Sequence, residues 1–137
     1  MNALQQFLLD SNVTDLRKVI NLGGRLVDHP ITIRALDGDK YNSFQGLCIE
    51  NPNSAKKRRF NTKKFHELIC VECLVDPNMK DSDFLQAARE KKGVSNSTEL
   101  LYSCFLSGEI AGIAEEVLKL SGFDRDMDED MDEVKNS

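Results

Sequence analysis

Apolar residues recur three and four positions apart along most of this chain, and two apart in one stretch near its start. Leu4, Phe7 and Leu8 have helical spacing, which predicts a short helix over residues 3–9. So short a segment is stable only if it docks. Val19, Ile20 and Leu22 run into Gly23-Gly24, and Ile31-Thr32-Ile33 follows Pro30 with β-branched side chains that suit a pleated surface. Two strands, residues 17–22 and 30–36, are expected to pair as a hairpin with a loop longer than two residues. The first also reads as a helical turn.

After a turn at Asp37-Gly38-Asp39, the positions Tyr41, Phe44, Leu47 and Cys48 predict a helix that ends before Asn51-Pro52. Residues 51–61 are loop-like. Thr62 is a candidate N-cap for a buried segment with Phe65, Leu68 and Ile69 and a nearly continuous apolar run to Val75, broken only by Glu72. Its length favours a helix stopped by Asp76-Pro77, although its Ile and Val content also suits a strand. A further helix is expected over 82–90, closed by Gly93 in the left-handed conformation. Asn96 and Glu99 have capping-box spacing and open a helix that carries Leu100, Leu101, Cys104 and Phe105 inward. Ser107 is the expected cap of the last helix, with Ile110, Ile113, Ala114, Val117 and Leu118 facing the core and Gly122 as its stop. The fold class is therefore mainly α: a single compact helical domain over residues 1–123 with a small N-terminal β-hairpin, α+β by strict count. Residues 124–137 are expected to form an acidic, disordered tail.

Charge sharpens that division. The net charge is −5, and residues 124–137 hold seven acidic side chains against Arg125 and Lys135. That segment alone is thus −5, and the other residues sum to zero. A neutral body has no global field with which to attract a polyanion. No run of about 18 apolar residues suggests a membrane span, and the first residues lack the basic start and small-residue cleavage site of a secretory signal. A cytoplasmic chain with reduced thiols is expected.

Candidate chemistry is sparse. His66, Cys70 and Cys73 fall on one helical face, and zinc would need a fourth ligand from Cys48 or Cys104. The Cys pair lies inside LICVECLV, where a cysteine behaves as a small hydrophobe, so neither metal nor cofactor is expected. Lys56-Lys57-Arg58-Arg59 could touch phosphates, but no aromatic platform or recognition helix accompanies it, and a solvated loop is the simpler reading. Asp124, Asp126 and Asp128 imitate the start of a calcium loop, yet Glu129 replaces its glycine and Lys135 its bidentate glutamate. Nucleotide, hydrolase and metalloprotease templates are missing, and nothing in the sequence ties His29 to His66. The chain is expected not to be an enzyme and to have no catalytic residues. A small zinc-binding or nucleic-acid-binding regulatory module is the alternative to a protein-binding role.

The stretch ELLYSCFLSGEIAGIAEEVLKLSGFD, residues 99–124, resembles the hallmark of the XkdN-like tail assembly chaperones of long-tailed phages and prophages. It shows a leucine-rich helix with Leu100, Leu101 and Leu106, the junction Ser107-Gly108-Glu109-Ile110, an amphipathic helix, and Ser121-Gly122-Phe123 before an acidic end. Upstream, ITIRAL (31–36) and LICVECLVDPNMKD (68–81) are similar to the family's strand and its buried helix followed by proline. Asn78-Met79 departs from the family's acidic residue followed by an aromatic or Leu, and the basic loop varies among members. The resemblance implies a protein of the host cytoplasm that binds the tape measure protein, helps tail-tube subunits assemble around it, and leaves before the virion is complete. Tape measure and tail-tube proteins are then the partners. Leu100, Leu101, Gly108, Glu109, Ile110, Gly122 and Phe123 would be structural motif positions.

Overall fold

The computed structural model describes residues 1–123. The acidic tail expected over residues 124–137 lies outside them. Among the described residues the order is α1 (Ala3–Asp10), β1 (Arg17–Ile20), β2 (Ile31–Arg34), α2 (Gly38–Cys48), β3 (Ile49–Glu50), β4 (Arg59–Phe60), α3 (Thr62–Cys73), β5 (Leu74–Asp76), α4 (Ser82–Lys92), α5 (Ser97–Cys104) and α6 (Ser107–Leu120). The described residues form six α-helices and a few short strands, so the mainly α expectation holds.

The sheet has the order β1-β2-β5 and is antiparallel throughout, with Arg17 opposite Arg34, Ile20 opposite Ile31 and Ile33 opposite Leu74. Ile31 and Ile33 point into the core while Thr32 and Arg34 are half-buried, as alternation along a pleated strand demands. Against this sheet lies α6, which also packs along α3. Ile69, Cys70, Cys73, Ile113, Ala114 and Val117 on these two helices have no exposed surface. Each large apolar side chain so buried contributes about 1.5–3 kcal/mol. The one charge inside the run of α3, Glu72, is neutralised by Arg34 at 2.8 Å and by Lys80.

Several boundaries differ from the sequence reading for identifiable reasons. The apolar run after Thr62 does not stay helical to Pro77: α3 ends at Cys73, and β5 joins the open edge of β2. Pairing there satisfies the backbone of β5 and buries Leu74, which local spacing cannot reveal. Asn61, not Thr62, caps α3, accepting the Lys64 amide at 3.0 Å. Asp37-Gly38-Asp39 is the start of α2 rather than a free turn, with Asp37 accepting the Lys40 amide at 2.8 Å. The basic loop is the connection of a two-stranded ribbon, β3 with β4. Helix α4 runs to Lys92 and closes, as expected, on Gly93 at φ 72°. Met79, the departure from the family pattern, is fully buried and keeps an apolar anchor at that position.

Candidate functional site

The residues singled out in the last quarter of the chain meet at the junction of α5 and α6. Leu100 and Leu101 have no exposed surface and Ile110 is buried, so the three fix α5 and α6 to the core. Asn96 accepts the Glu99 amide at 2.9 Å, but the Glu99 carboxylate accepts from Ser95 rather than from Asn96, so the expected box is displaced by one residue. Ser107 is not the cap of α6. Leu106 occupies that position and has no polar side chain, and Glu109 reaches back to accept the Leu106 amide at 2.8 Å. Arg25, from the loop between β1 and β2, donates to Glu109 Oε1 at 2.6 Å and to the Cys104 carbonyl at 2.7 Å. One guanidinium thus meets the negative end of α5 while its carboxylate partner sits at the positive end of α6.

Burial raises the Glu109 pKa, but the Leu106 amide and the Arg25 guanidinium outweigh it and hold the carboxyl below its ordinary 4.5. A depressed folded-state pKa stabilises the fold above the unfolded value and ceases to do so as pH falls through the folded one. Glu109→Gln keeps an acceptor for the Leu106 amide but removes the charge that faces Arg25 and the α6 N-terminus, and is therefore expected to cost about 0.3–1 kcal/mol near pH 7. In urea titrations across pH, that difference should shrink below about pH 4.5. A gap that persists undiminished in acid would contradict the assignment.

The two motif glycines have different physical standing. A Cβ on Gly108 meets no atom within 4 Å, and its backbone is helical. Gly122 has φ 100° and completes a left-handed closure: its amide donates to Lys119 at 3.1 Å, and the Phe123 amide to Leu118 at 2.9 Å. That turn sets Phe123 against Tyr41, with ring centroids 4.5 Å apart. Gly108→Ala is expected to raise stability by up to about 1 kcal/mol, and Gly122→Ala to lower it by about 1–2 kcal/mol. Thermal melts of both variants check the pair.

Cys48, Cys70 and Cys73 sit in surroundings that favour the protonated thiol. All four are free, and Cys48, Cys70 and Cys73 are buried. Burial pushes the Cys70 thiol up to about 12 and that of Cys73 to about 11. Metal binding and disulfide exchange both need the thiolate. The Cys70 thiol donates instead to the Ile110 carbonyl at 3.4 Å, so it is a packing group between α3 and α6. Among the described residues no three His, Cys, Asp or Glu side chains are placed to hold one metal ion. His66 lines a groove of about 190 Å3 with Tyr102, and burial lowers its pKa. Burial and the hydrogen bond to Glu67 push the Tyr102 phenol up to about 12. A phenol so shifted stays protonated near neutral pH.

The family model described as phage XkdN-like tail assembly chaperone protein matches residues 4–135. The chain belongs to that family. Among solved structures, this tail assembly chaperone is similar to the protein yqbn, a structural genomics target, with a TM-score of 0.62 at 18% identity. The alignment covers 90% of this chain and 99% of the other, and at that identity it shows a shared fold. No curated protein matches the sequence.

The first helix, expected over residues 3–9 and found at Ala3–Asp10, is where an unforeseen candidate surface lies in this family member. Asn2 and Gln5 form a reciprocal capping box at 2.8 and 2.9 Å, and Gln6 donates to Asp10 at 3.0 Å, so α1 is held by local bonds. It buries nothing against the rest of the fold. Leu4, Phe7, Leu8 and Leu9 are 62–68% exposed, and Val13, Leu16 and Val19 extend the exposed apolar line. The spacing of Leu4, Phe7 and Leu8 was legible; that this face has no partner in its own chain was not. Among the described residues no helix is long and apolar enough to cross a membrane.

Proposed function

We propose that this tail assembly chaperone binds the tape measure protein, assists tail-tube assembly around it in the host cytoplasm, and is not retained in the virion. Membership of the chaperone family supports a role in holding proteins rather than in catalysis. The observation that carries the reading to a surface is α1, an amphipathic helix with nothing to pack on. Docking of such a helix on an apolar segment is a recurring mode of peptide recognition. Each of its large apolar side chains, about two-thirds exposed, stands to gain about 1–2 kcal/mol on burial. The first nine residues contain no charged side chain, so the complementary client surface is apolar rather than ionic.

In this reading Leu100, Leu101, Gly108, Glu109, Ile110, Gly122 and Phe123 are scaffold positions that set the helical frame. The client lies elsewhere, along α1 and the exposed residues that follow it. The tail-tube protein is a second partner, met once the tape measure protein is held. Co-expression tests the proposal directly. The tape measure protein should move from the insoluble to the soluble fraction when this chain is present, and should elute with it. A client equally insoluble with and without the chain overturns the reading.

A further inference from the structure

β1 forms one edge of the three-stranded sheet, with β2 as its strand neighbour. The Ala35 amide donates to the Leu16 carbonyl at 2.9 Å, which sets the phase of the ladder. By the alternation of an antiparallel pair, Lys18 and Ile20 turn their backbone groups toward Ile33 and Ile31 of β2, while Arg17 and Val19 turn theirs outward. Among the described residues no other backbone group bonds these outward amides and carbonyls. Beside the edge runs a groove of about 420 Å3, with Lys18, Val19 and Leu22 on one side and Gly112, Glu115 and Glu116 of α6 on the other. Gly112 keeps that space open, because a Cβ there would lie 3.9 Å from Leu22 Cδ2. Lys18 reaches across to Glu116 at 3.3 Å, an exposed ion pair of a kind that contributes little and that an entering strand can displace.

Charge on the other face of β1 narrows the choice of occupant. Arg17 lies directly opposite Arg34, and Arg34 is already paired with Glu72 at 2.8 Å. Arg17 makes no ion pair among the described residues. Like charges facing each other across a ladder are unfavourable, so an incoming carboxylate is favoured there. Val19, two positions on, shares that face and is exposed. We infer that the open edge of β1 takes one extended segment of the client as a further antiparallel strand. An apolar residue of that segment lies beside Val19 and an acidic residue two positions later lies beside Arg17, with the residue between them turned into the groove along α6.

The inference rests on the reading of this chain as one that holds a client, and it adds the conformation in which part of that client is held. Strand addition satisfies main chain with main chain and leaves alternate side chains to select the sequence. A second copy fits the edge less well. Antiparallel pairing of two β1 strands brings two Arg17-Lys18 pairs, and the α6 helices that wall the two grooves, to one seam. A single extended segment brings neither.

The test follows amide hydrogen exchange by NMR on the full chain, alone and with overlapping peptides of about twelve residues, each longer than one strand, that tile the tape measure protein. A peptide with the apolar-x-acidic pattern should slow exchange at Arg17 and Val19 by at least about tenfold. Lys18 and Ile20, already bonded to β2, should change little. Val19→Pro removes an outward amide and no bond to β2, so it should weaken that peptide about fivefold or more while the melt stays cooperative. The same peptide N-methylated at its apolar residue should show a matching loss on the unaltered chain. Peptides that bind without protecting Arg17 and Val19, or a set of which none binds, overturn the proposal; a client still kept soluble by co-expression would then leave the client reading standing. Protection of Arg17 and Val19 in the chain alone that grows with its concentration assigns the edge to a second copy and overturns the proposal as well.

Discussion

Ile113→Asp is expected to leave the chain unfolded at 25 °C, with no cooperative transition in a urea or thermal melt. Ile113 has no exposed surface and lies on the face of α6 that packs along α3. Two costs combine. The side chain's burial, about 1.5–3 kcal/mol, is lost. An ionised carboxylate would then sit in the buried seam of α6 and α3, where no polar or charged residue among the described ones is buried with it, and an unpaired buried charge costs several kcal/mol even after relaxation. Total stability for a fold of this size is about 5–15 kcal/mol, so the sum takes most or all of it. Ile113→Val, which removes one methylene, should cost only about 0.5–1.5 kcal/mol. A sharp melt for Ile113→Asp within a few degrees of the parent would mean that α6 is not packed as described.

The second large effect concerns binding without stability. Phe7→Asp combined with Leu8→Asp is expected to leave the melting temperature within about 2 °C of the parent, because neither residue touches the core and exposed substitutions change stability by about 0.5 kcal/mol or less. The same pair should abolish co-solubility with the tape measure protein. Loss of two apolar anchors from a docked helix face costs at least about 2–4 kcal/mol, or roughly 30- to 1,000-fold in affinity. Co-elution from size-exclusion chromatography reads the outcome. A variant that melts normally and still holds the client removes α1 from the docking surface, and leaves the family assignment where it was.

How far the sequence could be read depended on the range of the forces involved. The inward faces of α5 and α6 were legible because Leu100, Leu101, Ile110, Ile113 and Val117 follow the helical period and are buried by it. Gly93 and Gly122 were legible because a left-handed residue at a helix end leaves a local trace. β5 was not, since residues 74–76 leave the helical conformation to satisfy a strand more than forty positions earlier in the chain. Arg25 was invisible for the same reason: its partners Cys104 and Glu109 lie 79 and 84 residues away. For the candidate site the limit was different. The apolar face of α1 could be read from spacing, but spacing does not distinguish a face that is covered from one that waits.

The bond between the Leu36 amide and Ser121 Oγ, 2.9 Å long, joins residues 85 positions apart. Ribosomes add about 5–20 residues per second, so about 4–17 s separate the emergence of the two partners. For roughly the first half of that interval Ile31 and Ile33 have only their strand neighbour β1, and after β5 has been made they still lack α6 to cover them. A protein whose family guards other chains during assembly thus passes through a delay in its own synthesis with its central strand uncovered. A pause in translation between β2 and α6 lengthens the exposure.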